Sequence, residues 1–147
     1  MADSVLNYTG NSPQVIGVQE ASAGSANDFY AQDLVKADSN GELVIATAGA
    51  ILGIARSPAS GTASTVIPVE LPNLNDVYVA NYKASATAEA LIGDVVDFVF
   101  TVGAHTLDES SATTDAYVVG LDPRDAVGTS GGRLLFRFNY LLFKGTQ

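Results

Sequence analysis

Cysteine and tryptophan are absent from this 147-residue chain, and histidine and methionine occur once each. Without cysteine there is no disulfide framework, no thiolate zinc site and no cysteine nucleophile. A lone His105 leaves little for hydrolytic or transition-metal chemistry. Charge is also scarce: charged residues make up 16% of the chain, against roughly 25% in an ordinary soluble domain. Basic residues are the scarcest, 7 against 16 acidic ones, for a net charge of −9. That balance excludes a nucleic-acid binder, which needs a basic face to displace counterions from phosphates. No run approaches the roughly 18 apolar residues of a membrane span. The densest apolar stretch, 134–143, is interrupted by Arg137 and Asn139. The opening residues 1–4 have neither the basic nor the apolar region of a signal peptide, so the expectation is a protein assembled in a cytoplasm. The sequon Asn7-Tyr8-Thr9 then carries no glycan.

What is present reads as β-structure. Valine, isoleucine and aromatic residues gather in runs at 15–19, 34–36, 43–46, 51–55, 66–71, 77–82, 95–102, 116–121 and 133–143. Such residues suit a pleated, half-buried surface, and the spacing of the runs is that of a sandwich or barrel. In the last run Leu134, Phe136, Phe138, Tyr140 and Leu142 share one face, opposite Arg133, Arg137 and Asn139. Val96, Phe98, Phe100 and Val102 line one face of 95–102, with Asp97 and Thr101 on the other. Pro68, which cannot donate to a ladder, marks 66–71 as an edge strand or a strand start. Asn40-Gly41 predicts a tight hairpin turn. The surrounding Asp38 to Glu42 lacks the ligand spacing of a calcium loop. Helix is confined to a turn or two within 85–92, stopped by Gly93, and a turn opened by Asp122 and Pro123. The fold class expected is therefore an all-β, single-domain antiparallel β-sandwich or barrel, jelly-roll or Greek-key. Residues 1–27 read as an extended N-terminal arm and 28–147 as the β domain.

The chemistry-bearing residues do not assemble. His105 follows a strand and reads as an exposed loop residue; Asp108 and Glu109 lie nearby, but no nucleophile elbow accompanies them. Asp94 and Asp97 fall on opposite faces of their strand, while Asp122 and Asp125 read as exposed turn aspartates. The glycine-rich 128–132 precedes a strand and has no following lysine, unlike a phosphate loop. No enzyme activity, cofactor or metal is expected. Charge is unevenly placed: all 16 acidic residues and four of the basic ones precede Arg133, giving −12. The final fifteen residues hold Arg133, Arg137 and Lys144 and no acid, giving +3. A basic, aromatic last strand suits contact with another copy or with an acidic neighbour, or is simply a solvated face. Loops built from Ala, Ser, Thr and Gly, such as 21–26, 46–50, 59–65 and 84–88, read as linkers or as surfaces that lie flat on a neighbour.

Several segments together resemble the small head-decoration, or cement, proteins of tailed bacteriophages. They are Phe29-Tyr30-x-x-Asp33-Leu34-Val35, Gly41-x-Leu43, Ile51-Leu52-Gly53-Ile54-Ala55, and Gly61-Thr62 leading into Val66-Ile67-Pro68-Val69. Val118-Val119-Gly120-Leu121-Asp122-Pro123 and Gly132-Arg133-Leu134-Leu135-Phe136-Arg137-Phe138 are similar to the closing part of such proteins. The resemblance spans residues 28 to 138. It implies a structural virion protein on the capsid surface, with the major capsid protein and itself, as dimer or trimer, for partners, and neither nucleic acid nor membrane. The interface residues expected are Val15, Ile16 and Val18 of the arm, Phe29, Tyr30, and the basic Arg133, Arg137 and Lys144. A minor tail, baseplate or head-fibre component and a carbohydrate-binding β-sandwich are the alternatives.

Overall fold

The computed structural model describes residues 5–7, 14–21, 29–47, 51–61, 65–101, 103–109 and 115–139. Among these residues eleven strands follow one another: β1 (Leu6–Asn7), β2 (Gln14–Gln19), β3 (Leu34–Ala37), β4 (Leu43–Ile45), β5 (Ile51–Ala55), β6 (Val66–Leu71), β7 (Tyr78–Tyr82), β8 (Val95–Val99), β9 (Thr106–Asp108), β10 (Ala116–Leu121) and β11 (Arg133–Phe138). Among the described residues the helical content is a single 3-10 turn, Glu89–Leu91, which ends before Gly93 at φ +92°. The protein is all-β, in the sandwich-or-barrel class that the strand rhythm predicts. Within residues 1–27, read as an arm, the described strands belong to the body: β1 pairs with β7, and β2 pairs with β6 along all six residues.

The strands form two sheets. In one, β7, β11, β10, β8 and β9 pair in that order and a parallel β7–β9 pairing closes the ring, with β1 attached to β7. In the other, β2, β6, β5, β3 and β4 make an antiparallel sheet of five. Leu34, Ala46, Ile51 and Ile54 from the open sheet pack into the same cluster as the barrel interior. The opposite face of the open sheet has its own core of Phe29, Val35, Leu43, Ile45, Ala55, Ile67 and Val69. Strand alternation produces both: adjacent Leu34 and Val35 point to different cores.

The barrel interior is aromatic. Phe136 and Phe138 meet edge to face at 5.1 Å between ring centroids, Tyr78 meets Phe138 at 4.8 Å, and Phe98 meets Phe136 at 5.5 Å. These distances lie in the favourable range for aromatic pairs. The faces expected for 95–102 and 133–143 are the observed ones over the described residues, although Asp97 on the outer face of β8 is itself buried. Tyr140, Leu142 and Val102 lie outside the described residues.

The β3–β4 hairpin turns where Asn40-Gly41 predicts. Gly41 takes φ +77°, and the Asp38 carboxylate accepts the Asn40 and Glu42 N–H groups at 2.8 and 2.9 Å. Pro68 departs from expectation, since β6 lies inside its sheet with a neighbour on each side. The ladder to β5 pairs only Ile54 with Glu70 and Ala55 with Val69, so Pro68 sits where that strand ends. Its carbonyl accepts the Arg56 N–H at 2.9 Å, and no donor is required of it there. Gly53 is required by close approach, because a Cβ at that position would stand 2.2 Å from the Glu70 carbonyl oxygen.

Candidate interaction surface

Among the described residues the basic side chains Arg56, Lys83, Arg124 and Arg133 are each committed to an acidic one. Asp125 accepts the Arg133 N–H, Nε and Nη2, each at 2.8 Å, which lowers its carboxyl pKa to about 2. Asp122, fully buried, accepts from the Arg124 backbone and guanidinium, and that side-chain bonding holds its carboxyl below the usual range. At the barrel closure Lys83 Nζ lies 2.9 Å from both Asp108 Oδ1 and Glu109 Oε1. Those hydrogen bonds raise its pKa, while Tyr82, donating to Glu109, is pushed up to about 12, chiefly by burial. In the open sheet Arg56 Nη1 meets Glu70 Oε1 at 2.5 Å. Glu70 Oε2 is buried with no hydrogen-bond partner.

The chain's one histidine is a structural piece. His105 is 1% exposed, which corrects the reading of an exposed loop residue. Gly103 and His105, between β8 and β9, reach Asp33 and Leu34 at the start of β3, and the imidazole is packed edge-on against Phe100 at 5.5 Å. The Thr101 N–H donates to Nδ1 at 3.0 Å, which places the ring proton on Nε2, 3.5 Å from the Leu34 carbonyl. Burial holds its pKa below the ordinary value of 6.5, against the opposing pull of the Asp33 carboxylate. Asp33 in turn accepts the Gly103 N–H at 2.9 Å and the Tyr30 N–H at 2.9 Å. This group fastens β3 of the open sheet to the barrel. Among the described residues no three of His, Asp and Glu gather as metal ligands.

The expected interface residues separate by environment. Val15, Ile16 and Val18 lie together on β2, the first two exposed and the third half-buried. Tyr30 is 60% exposed, with its ring over Gly103. Phe29 does not reach the surface: it is 2% exposed and belongs to the core of the open sheet, the inward neighbour of an outward tyrosine. Arg133 is half-buried and tied to Asp125. Arg137 is exposed on the outer face of β11, and Lys144 lies outside the described residues. Asp122, expected as an exposed turn residue, is buried because the β10–β11 connection folds both guanidinium groups, Arg124 and Arg133, towards it.

Two surfaces stand out. The first crosses the outside of the barrel, where cross-strand register aligns Val95, Tyr117 and Arg137 in a row. Tyr117 and Arg137 are exposed, and Val119, at the bulge in β10, is exposed beside them. Arg137 is among the expected interface residues; Tyr117, in the sequence a candidate only for the carbohydrate-binding alternative, is exposed because it alternates with buried Ala116 and Val118. The second surface is β2 with β6, where Val15, Ile16 and Val66 are 47%, 39% and 58% exposed. The chain matches no protein-family model and no curated protein.

Proposed function

We propose that this protein is a structural virion protein of the capsid-decoration type. It binds the outside of a phage head, bridges neighbouring major capsid proteins and stabilises the shell, acting by binding alone. The observation that supports this reading most is the outer barrel row of Val95, Tyr117 and Arg137. Tyrosine and arginine are the residues that most often dominate protein interfaces, and here they sit on a closed, rigid support. An exposed arginine on a chain whose other cations are largely paired with its own acids suits an acidic neighbour. A ligand that binds only the assembled shell stabilises that shell by mass action, and many copies acting together add avidity.

The test mixes purified protein with undecorated heads, followed by sedimentation and imaging. Regularly spaced added density is the expected result, and no binding at any concentration overturns the proposal. Tyr117→Asp with Arg137→Glu is expected to weaken head binding by about 30-fold or more, the scale of a lost hot spot. Copy number and position on the particle separate this reading from a minor tail, baseplate or head-fibre role.

A further inference from the structure

Three residues of β2 aim their main-chain groups away from β6. The Glu20 N–H donates to the Thr65 carbonyl at 2.8 Å. In an antiparallel ladder alternate residues bond to the same neighbour, so Val18, Ile16 and Gln14 also face β6. Val15, Gly17 and Gln19 therefore face outward. Ala21, the next in that series, shows the same direction, its N–H reaching the Leu43 carbonyl at 3.1 Å. There β4 starts, running parallel to β2 at the Glu20–Leu43 bridge, and residues 15–19 lie before that start. Among the described residues β2 is otherwise paired on one side only.

Proteins guard such edges with charge, proline or a bulge. β2 has none of these: its sequence is QVIGVQ, and its register with β6 runs unbroken from Gln14 to Gln19. Water solvates the outward groups one by one, whereas a second extended strand pairs them all in register, and charge decides whose strand it is. Residues 4–19 and 57–69 carry no charged side chain, although the chain as a whole is at −9. β2 has no charged side chain and the one acid of β6, Glu70, is paired with Arg56, so strand and partner strand make a neutral seam on an acidic molecule. A cationic partner has the acidic surface to bind; a partner of the same net sign is repelled over most of that surface, the outer face of β11 at Arg137 apart, and tolerated here. A second copy of this chain is such a partner, and the strand is close to self-complementary about Gly17.

We propose that two copies pair β2 to β2, antiparallel, about a two-fold axis at Gly17. Gly17 then faces Gly17 of the second copy, Val15 faces Gln19, and Ile16 lies beside Val18. About six main-chain hydrogen bonds form, all from groups that β6 leaves unused. Ile16 and Val18 continue the apolar face of Val69 and Ile67, so the two open sheets join as one. A small residue is already enforced at the axis, since a Cβ on Gly17 would stand 2.7 Å from Val66 Cγ1. This pairing goes beyond the shell reading and does not depend on it.

Sedimentation equilibrium of the full chain and its variants tests the pairing. The unmodified protein is expected to be a dimer, and Val15→Pro a monomer with unchanged circular dichroism, because the lost N–H serves no bond within the chain. The double variant Val15→Lys with Gln19→Lys sets lysine against lysine and is expected to raise the dissociation constant by about tenfold or more. Val15→Lys with Gln19→Glu sets opposite charges together and is expected to restore it. A monomeric unmodified protein at high concentration, a Val15→Pro dimer of undiminished affinity, or no difference between the two charge variants overturns the proposal. Head binding by a strictly monomeric protein would sink the pairing and leave the shell reading standing; a dimer that binds no head would do the reverse.

Discussion

The barrel and the open sheet solve the same problem in different ways. The barrel closes on itself through β7 and β9, so its strands find neighbours around the ring, and its interior is filled by Phe98, Phe136, Phe138, Tyr78 and Tyr82. The sheet stays open, is filled mainly by aliphatic side chains, and among the described residues meets itself only at the Glu20–Leu43 corner. Closure removes edges and favours large interlocked rings; openness leaves main-chain groups available. The part that holds its shape and the part that can accept a strand are therefore distinct. Leu34, Ala46, Ile51 and Ile54 couple them, because they belong to the open sheet and are buried with the barrel's aromatics.

The strongest way to break this contrast is to empty the barrel. Phe136→Ala removes a fully buried ring that touches three others and is expected to cost about 3–5 kcal/mol in urea unfolding. Because the core is shared, both sheets should unfold in one transition. A separate, unaffected transition of the open sheet would show two independent units. Gly53→Ala attacks the sheet, forcing a methyl against the Glu70 backbone, and about 1–3 kcal/mol should be lost. Hydrogen exchange should quicken first in β5 and β6, with the barrel amides following the global transition.

Two smaller effects sharpen the comparison. Arg56→Met deprives Glu70 of its guanidinium while Oε2 already lacks a partner, and about 1–2 kcal/mol should be lost. Adding Glu70→Gln should recover part of it. The smallest effect is expected from pH at His105, the fastening between the two regions. Its folded pKa lies below the unfolded value, so the unfolded chain binds the proton more readily. Stability is full above the ordinary 6.5 and is lost as pH falls below it, through the lower folded pKa. Urea midpoints between pH 8 and 5 should fall more steeply for the unmodified protein than for His105→Gln.

Legibility followed length and period. The nine apolar runs are β2 to β8, β10 and β11, because each gathers aliphatic, β-branched or aromatic residues, and 66–71, 95–102 and 133–143 also alternate clearly enough to declare a face. β1 and β9 are not legible because Leu6–Asn7 and Thr106–Asp108 hold one apolar residue each, and the barrel closes through β9. Local sequence gave no sign that a proline could sit inside a sheet, since Pro68 is tolerated only because β5 ends beside it. His105 and Asp122 read as loop residues, which they are; burial came from segments far off in sequence. On the surface, Arg137, Val15 and Ile16 were recognisable by parity and apolarity. Tyr117 stands in the sequence only as one of several tyrosines open to a sugar, because the row it belongs to is assembled across strands.

The order of synthesis gives the β2–β6 pairing a kinetic meaning. β2 is made early, and β6 emerges about 50 residues later, several seconds at ordinary translation speeds. Through that interval an uncharged, apolar strand waits with both of its sides unpaired. Such non-local pairing is slow to form even once the chain is complete. The seam is thus a hazard of crowding at the ribosome before it is an asset of the folded molecule. Expression at low temperature and low rate, with fewer nascent copies side by side, is the condition under which the soluble yield of this chain should be greatest.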